Sequence, residues 1–245
     1  DAIAYGGWPI DTHPPGGVDA VDQEPCTQHR VPELYDIPLS ACISDTVKNL
    51  MFAGRNISAT HLAFASTRVM ATVAVIGQGV GTTAACAVTS GNTPVEILDN
   101  PDEVAAVQQR LLHDDAYLIG VLNNDPKDIA RKAAISASSE QPGGRAVNII
   151  SGQTRSVHGY GGVNCDRTVP GTHRWMSDPN QPLPQWVKLS WSNTVTIGRV
   201  SLIFDTGMHR VLTLTQSDAY AAKMHWGRPQ EETVKDYYIE YLVEN

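Results

Sequence analysis

Residues 69–88, VMATVAVIGQGVGTTAACAV, contain no charged side chain, and an uncharged run of that length admits few structures. It is close to the roughly 20 residues that span a bilayer as a helix. Gln78, the threonines at 72, 82 and 83 and the glycines at 77, 79 and 81 hold its hydrophobicity down. No basic cluster flanks it to set a topology, so no membrane span is expected. A buried helix with small side chains fits better. Gly77, Gly81 and Ala85 recur every four residues and would leave one face without bulk, where another backbone or a flat ligand can approach closely. Ser90-Gly91-Asn92 stops it. A rival reading takes TVAVIGQGVGTTAA as a strand entering a GxGxxG phosphate turn, with Asp99 as the ribose-binding acid of a nicotinamide site. There the third glycine fails: Gly77 and Gly79 need a partner at position 82, which is Thr82.

The segment TPVEILDNPDEVAAVQQRLLHDDAYL reads as an amphipathic packing helix. Asp99 or Asn100 can cap it, Pro101 suits the first helical position, and Asp102 and Glu103 favour its positive end. Val104, Val107, Leu111 and Leu112 supply its apolar stripe. Near residue 125 the composition shifts to short alternating runs rich in Thr, Ser, Val and Trp. PQWVKLSW, TIGRVSLIFD and DYYIEYLV alternate like half-buried strands. Strands in succession without helices predict an antiparallel sandwich.

With a formal net charge of −8 and 18 Lys and Arg, the chain lacks the clustered basic footprint that nucleic acids require. The four cysteines, 26, 42, 86 and 165, are far apart, which excludes a disulfide-dense scaffold and a zinc ribbon. His29, His113, His158, His173, His209 and His225 show no metal-ligand spacing and are read as structural. Ser58 lacks the GxSxG frame of a nucleophile elbow. The sequence leaves localisation open.

One longer pattern organises the upstream half. IPLSACISDTVKNLMFAGRNISATHLAFASTRVMATVAVIGQGVGTTAA closely resembles the C-terminal signature of a family of FAD-dependent oxidoreductases that includes many sugar-associated bacterial flavoproteins. YGGWPIDTHPPGG resembles that family's characteristic loop. The resemblance implies that residues 1–125 are a fragment of an α/β FAD-binding fold, with FAD as cofactor. NLMFAGR would be a strand returning to the flavin, with Gly54, Arg55 and Asn56 in the turn beneath it. STRVMAT would open a long helix whose N-terminus points at the flavin ring, bringing Ser66, Arg68, Val69, Met70 and Ala71 to the cofactor. RVMAT stands where the family often has RVMPT, which removes preorganisation but no contact.

The physics of that arrangement is general. Reduced flavin carries negative charge near its N1/C2 carbonyl edge, and a helix N-terminus offers free N–H groups and about half a positive charge. Gly54 would admit the backbone, and Arg55 or Arg68 would add fixed charge. Oxidising an alcohol also needs a base, and histidine serves near neutral pH. His13, with Asp11 nearby to orient it, and His61 in ISATHLAF are the candidates, and Trp8 offers a face for a sugar. The expected partners are a hydroxylated, carbohydrate-like small molecule and a Rossmann half, on the same or a separate chain, to hold the ADP end.

Residues 130–245 resemble, more weakly, a galactose-binding-like (discoidin-type) sandwich, through IARKAAISASSE, AVNIISGQTRSVHG, HRWMSDPNQPLPQWVKLSW and VTIGRVSLIFD. That likeness implies a mostly antiparallel β-sandwich, truncated at its end, with Trp175 and Trp186 in its core. The competing functional reading is a carbohydrate-binding or interaction module with no catalysis of its own.

Overall fold

The uncharged run is a single helix in the computed structural model, which describes residues 1–154, 173–204 and 233–242. This helix, α2 (Met70–Ser90), buries Thr72, Ile76, Gly79, Val80, Thr83 and Ala87. Thr83 satisfies its buried hydroxyl by donating to the Gly79 carbonyl at 2.9 Å. Gly91 ends the helix in the left-handed region (φ 77°), its N–H returning to Ala87 O at 2.9 Å. By length and composition α2 could cross a membrane, a test that a core helix also passes.

The face that approaches a neighbour closely is not the one read from the sequence. A Cβ on Gly79 would lie 2.5 Å from the carbonyl oxygen of Ile3 in strand β1 (Ala2–Gly6), whereas Gly77 and Gly81 have open space around them. Gly81 and Ala85 are exposed. The 3.6-residue turn places Gly79 with Ile76 and Thr83, so an every-fourth-residue stripe of small residues did not identify the packed face. The nicotinamide alternative also fails here. Gly77, Gly79 and Gly81 lie inside a continuous helix, where no strand ends and no phosphate turn forms.

Two helices follow as an apolar stripe with strong caps demands. α3 (Pro94–Leu98) begins with a capping box in which Thr93 and Glu96 satisfy each other's backbone N–H groups. α4 (Pro101–His113) is capped by Asn100, with Pro101 at its start, and it buries Val104, Val107, Leu111 and Leu112. Gln108 Nε2 donates to Ala2 O at 2.9 Å, tying α4 to β1. The core joins Ile3, Ile37, Leu39, Ile76, Ile97, Val107, Leu111 and Leu118, each contributing about 1.5–3 kcal/mol when removed from water.

Among the described residues the strand pairs are antiparallel and two-stranded. β1 pairs with β4 (Tyr35–Pro38), β2 (Ile10–Thr12) with β3 (Thr27–His29), and β5 (Ala134–Ala137) with β6 (Val187–Ser190). NLMFAGR, expected as a strand, makes only an isolated bridge, Ile43 with Met51. Bonds from Phe52 N to Cys42 O (2.8 Å) and Ser44 N to Leu50 O (3.0 Å) support it before the chain bends at Gly54. A short helix not foreseen from the sequence, α1 (His61–Thr67), precedes α2 and is capped by Thr60, whose hydroxyl accepts from Ala63 N at 3.3 Å.

The chain forms two compact units, Asp1–Ser192 and Asn193–Asn245. Of the runs expected as strands downstream, PQWVKLSW supplies β6, paired with ISA-containing β5. The described parts of TIGRVSLIFD and DYYIEYLV carry no strand. Alternation makes a strand only where a neighbouring backbone meets its N–H and C=O groups, and no ladder reaches either segment among the described residues. No β-sandwich is therefore formed among those residues, although Phe204 and Tyr237 rings meet at 5.1 Å. Trp175 donates its indole N–H to Ser139 O at 2.9 Å, while Trp186, expected in a core, is exposed. Cys165, His158, His209 and His225 lie outside the described residues.

Candidate active site

The joint between α1 and α2 gathers the side chains that carry chemistry. Two side chains anchor it to the N-terminal segment. Ser66, only 2% exposed, donates its hydroxyl to Trp8 O at 2.5 Å and is bonded to the Tyr35 hydroxyl. Arg68 reaches the β2–β3 hairpin: its Nη2 lies 3.2 Å from Asp11 Oδ2, 3.3 Å from Asp11 O and 3.0 Å from His13 Nε2. The bonds to Trp8, Asp11 and His13 join residues 55 to 58 positions apart and that to Tyr35 residues 31 apart, and the hairpin pairs Asp11 with Gln28 and Thr12 with Thr27.

The far side of that cluster comes from β3 and the turn before it. The Cys26 thiol donates to Asp11 Oδ1, and Pro25 O accepts from His13 Nδ1 at 2.9 Å. The bond to Asp11 is the main reason the Cys26 thiol is held above its usual range, with desolvation adding to it and the Arg68 charge opposing it. Burial raises the Tyr35 phenol, and its bond to Ser66 partly offsets the rise. Gly6 makes that tyrosine position possible. A Cβ there would lie 2.6 Å from the Tyr35 ring, so only a residue without a side chain lets the ring cross β1.

Other expected site residues fall around this centre. Trp8 is 46% exposed, with its backbone carbonyl anchored by Ser66. Gly54 sits in the bend, with Val73 of α2 3.9 Å from where its Cβ would be and Asn56 Oδ1 at 3.3 Å. Arg55 stacks its guanidinium over Phe64 of α1 at 4.9 Å. His61 opens α1, exposed, with no hydrogen bond to a described residue. It is not part of the Asp11–His13–Arg68 cluster. Val69, Met70 and Ala71 form the start of α2, Met70 being 89% exposed.

A test of fit for an anionic cofactor edge comes from this end of α2. Val69 stands at the N-cap and has no side-chain acceptor, so the first-turn N–H groups of a 21-residue helix have no cap. Beside it Thr67, 7% exposed, buries a hydroxyl with no hydrogen-bond partner. An uncapped positive helix end, a guanidinium held in place and an orphan hydroxyl together suit a bound acceptor rather than an apolar neighbour. Among the described residues no group of three or more His, Cys, Asp or Glu is placed to hold a metal ion.

Residues 1–111 match the FAD dependent oxidoreductase family. The match indicates FAD as the cofactor and supports a flavin-dependent redox function. It ends inside α4, so the matched segment contains Trp8, the Asp11–His13–Arg68 cluster and the whole of α2. No curated protein and no solved structure matches the chain.

Cys26, Tyr35, Pro25 and Thr67 were not singled out by the sequence. Nothing local marks them: β3 is three exposed residues, TQH, without alternation. The hairpin pairs Asp11 with Gln28, which brings Cys26, two positions earlier, within bonding reach of the Asp11 carboxylate.

Proposed function

We propose that this chain supplies the isoalloxazine-facing part of an FAD-dependent oxidoreductase that removes hydride from a hydroxylated, carbohydrate-like substrate. The observation that carries the reading is Arg68, fixed one residue before the N-cap of an uncapped helix. Bound FAD supplies the hydride acceptor. The residues that would hold its ring edge are the α2 start (Val69, Met70, Ala71), Arg68 and the Gly54–Asn56 bend. Trp8 would present its ring to the substrate, and His61, whose imidazole is free of described partners, would take the hydroxyl proton. Ser66 would act from below, by keeping Trp8 in place.

The ADP end would be held by a Rossmann half outside the residues described. The ladders among the described residues are antiparallel, whereas a dinucleotide-binding unit is built on parallel strands. Residues 130–245 would be an appended galactose-binding-like module. Flavin fluorescence quenching on the full chain tests the proposal. Lumiflavin and FAD should bind comparably, ADP should not compete, and Arg68→Gln should weaken both by about tenfold, the equivalent of about 1.4 kcal/mol for a lost charge-assisted bond. Competition by ADP, or no quenching by either flavin at millimolar concentration, would refute it. Glycan binding by the full chain with no flavin binding would favour the module reading instead.

A further inference from the structure

We propose that His13 and Asp11 are positioning residues for Arg68, with His13 acting as a neutral, Nδ1-protonated acceptor and not as the base. The chemistry of its two contacts assigns the ring. A carbonyl can only accept, so His13 Nδ1, 2.9 Å from Pro25 O, carries the hydrogen. A guanidinium can only donate, so His13 Nε2, 3.0 Å from Arg68 Nη2, carries the lone pair. Both ring nitrogens are engaged by described groups. An imidazolium would set an Nε2–H against an Nη2–H, which breaks the contact.

Asp11 completes the clamp from the other side. Its Oδ2 and carbonyl share the remaining Nη2 hydrogen, while Oδ1 accepts from the Cys26 thiol. The carboxylate orients Arg68 and makes no bond to His13. One corner of the guanidinium is thus held by three acceptors, whereas its Nε and Nη1 have no hydrogen-bond partner among the described residues, on a side chain that is 21% exposed. The clamp leaves that edge free at the head of α2. What the free edge meets rests on the flavin reading above; the state of the His13 ring does not.

Nitrogen-15 correlation spectra of the histidine-labelled full chain test the assignment, with His13 identified by loss of its signals in His13→Gln. The native ring should show a protonated Nδ1 and an unprotonated Nε2, and Arg68→Met, which leaves the Pro25 bond in place, should shift the Nε2 resonance while Nδ1 stays protonated. In the flavin quenching assay, His13→Gln, whose Oε1 can still accept from Arg68, should stay within about twofold of the native chain, and His13→Leu should lose about tenfold. A native Nε2–H ring, or an Nε2 resonance indifferent to Arg68→Met, would overturn the proposal. Equal loss in the Gln and Leu variants would also overturn it. The expected tautomers together with no flavin binding by any variant would support the clamp and sink the flavin reading alone.

Discussion

Replacing Gly79 by alanine isolates the contact on which the packing of α2 depends. The new Cβ would sit 2.5 Å from the Ile3 carbonyl oxygen and 3.1 Å from the Ile3 carbonyl carbon and Cβ. An ordinary carbon–oxygen contact is about 3.3 Å or more, so helix and strand would have to part by about 0.8 Å. Neither side can yield cheaply: the obstacle is backbone, and Ile3 is 1% exposed in the core beneath. Separation by that amount forfeits about a quarter to a half of the dispersion energy across the gap. Gly81→Ala is the matched control, because it lies in the same helix with nothing within 4 Å of the added carbon. Both substitutions gain the same helix propensity, about 0.5–1 kcal/mol. Gly81→Ala should therefore stabilise by that amount, and Gly79→Ala should fall below it by the overpacking cost of about 1–3 kcal/mol. Urea unfolding followed by far-ultraviolet circular dichroism, with unchanged m-values, measures both. Equal stabilisation of the two variants would refute the close approach of α2 to β1.

Further outcomes follow from named contacts. Thr93→Ala should cost about 1 kcal/mol by removing the N-cap of α3. The backbone and side-chain bonds from Thr93 hold Glu96 below the ordinary carboxylate range. Its stabilisation is therefore present above the unfolded-state value and lost as pH falls through the lowered folded one, a dependence that Glu96→Gln should remove from acid-side unfolding curves. Burial pushes the Cys42 thiol from 9.0 up to about 11. The sign is opposite: the stabilisation is complete below the unfolded value and lost as pH rises toward about 11. Cys42→Ala should flatten that alkaline limb, and a native Cys42 that reacts with a thiol reagent as fast as in urea would contradict its burial. Gly6→Ala should displace the Tyr35 hydroxyl from Ser66 and cost about 0.5–1.5 kcal/mol; Tyr35→Phe should cost a similar amount, and the double variant should not add, as a double-mutant cycle would show.

Several features of this chain are written locally and needed no partner to be read. The span of α2, its stop at Gly91, the Asn100–Pro101 start of α4 and its Val104–Val107–Leu111–Leu112 stripe depend on intervals of a few residues. So does the pairing of long motifs with a flavin-dependent family, which the match over residues 1–111 supports. The caps and stripes work because each backbone group or side chain is satisfied within about one turn. Other features depend on which distant backbone arrives alongside. Small residues every fourth position could not reveal that Gly79, rather than Gly77 or Gly81, meets β1, because helix faces are equivalent until a strand lies on one of them. Alternation could not make strands of TIGRVSLIFD and DYYIEYLV, since a strand is completed by a neighbour's hydrogen bonds and not by its own pattern. The Asp11–His13–Arg68–Cys26 cluster is the clearest case. Asp11, His13 and Arg68 were legible as residue types and Cys26 was not, and the roles of the imidazole and the carboxylate were decided by donors and acceptors brought from 12 to 57 positions away.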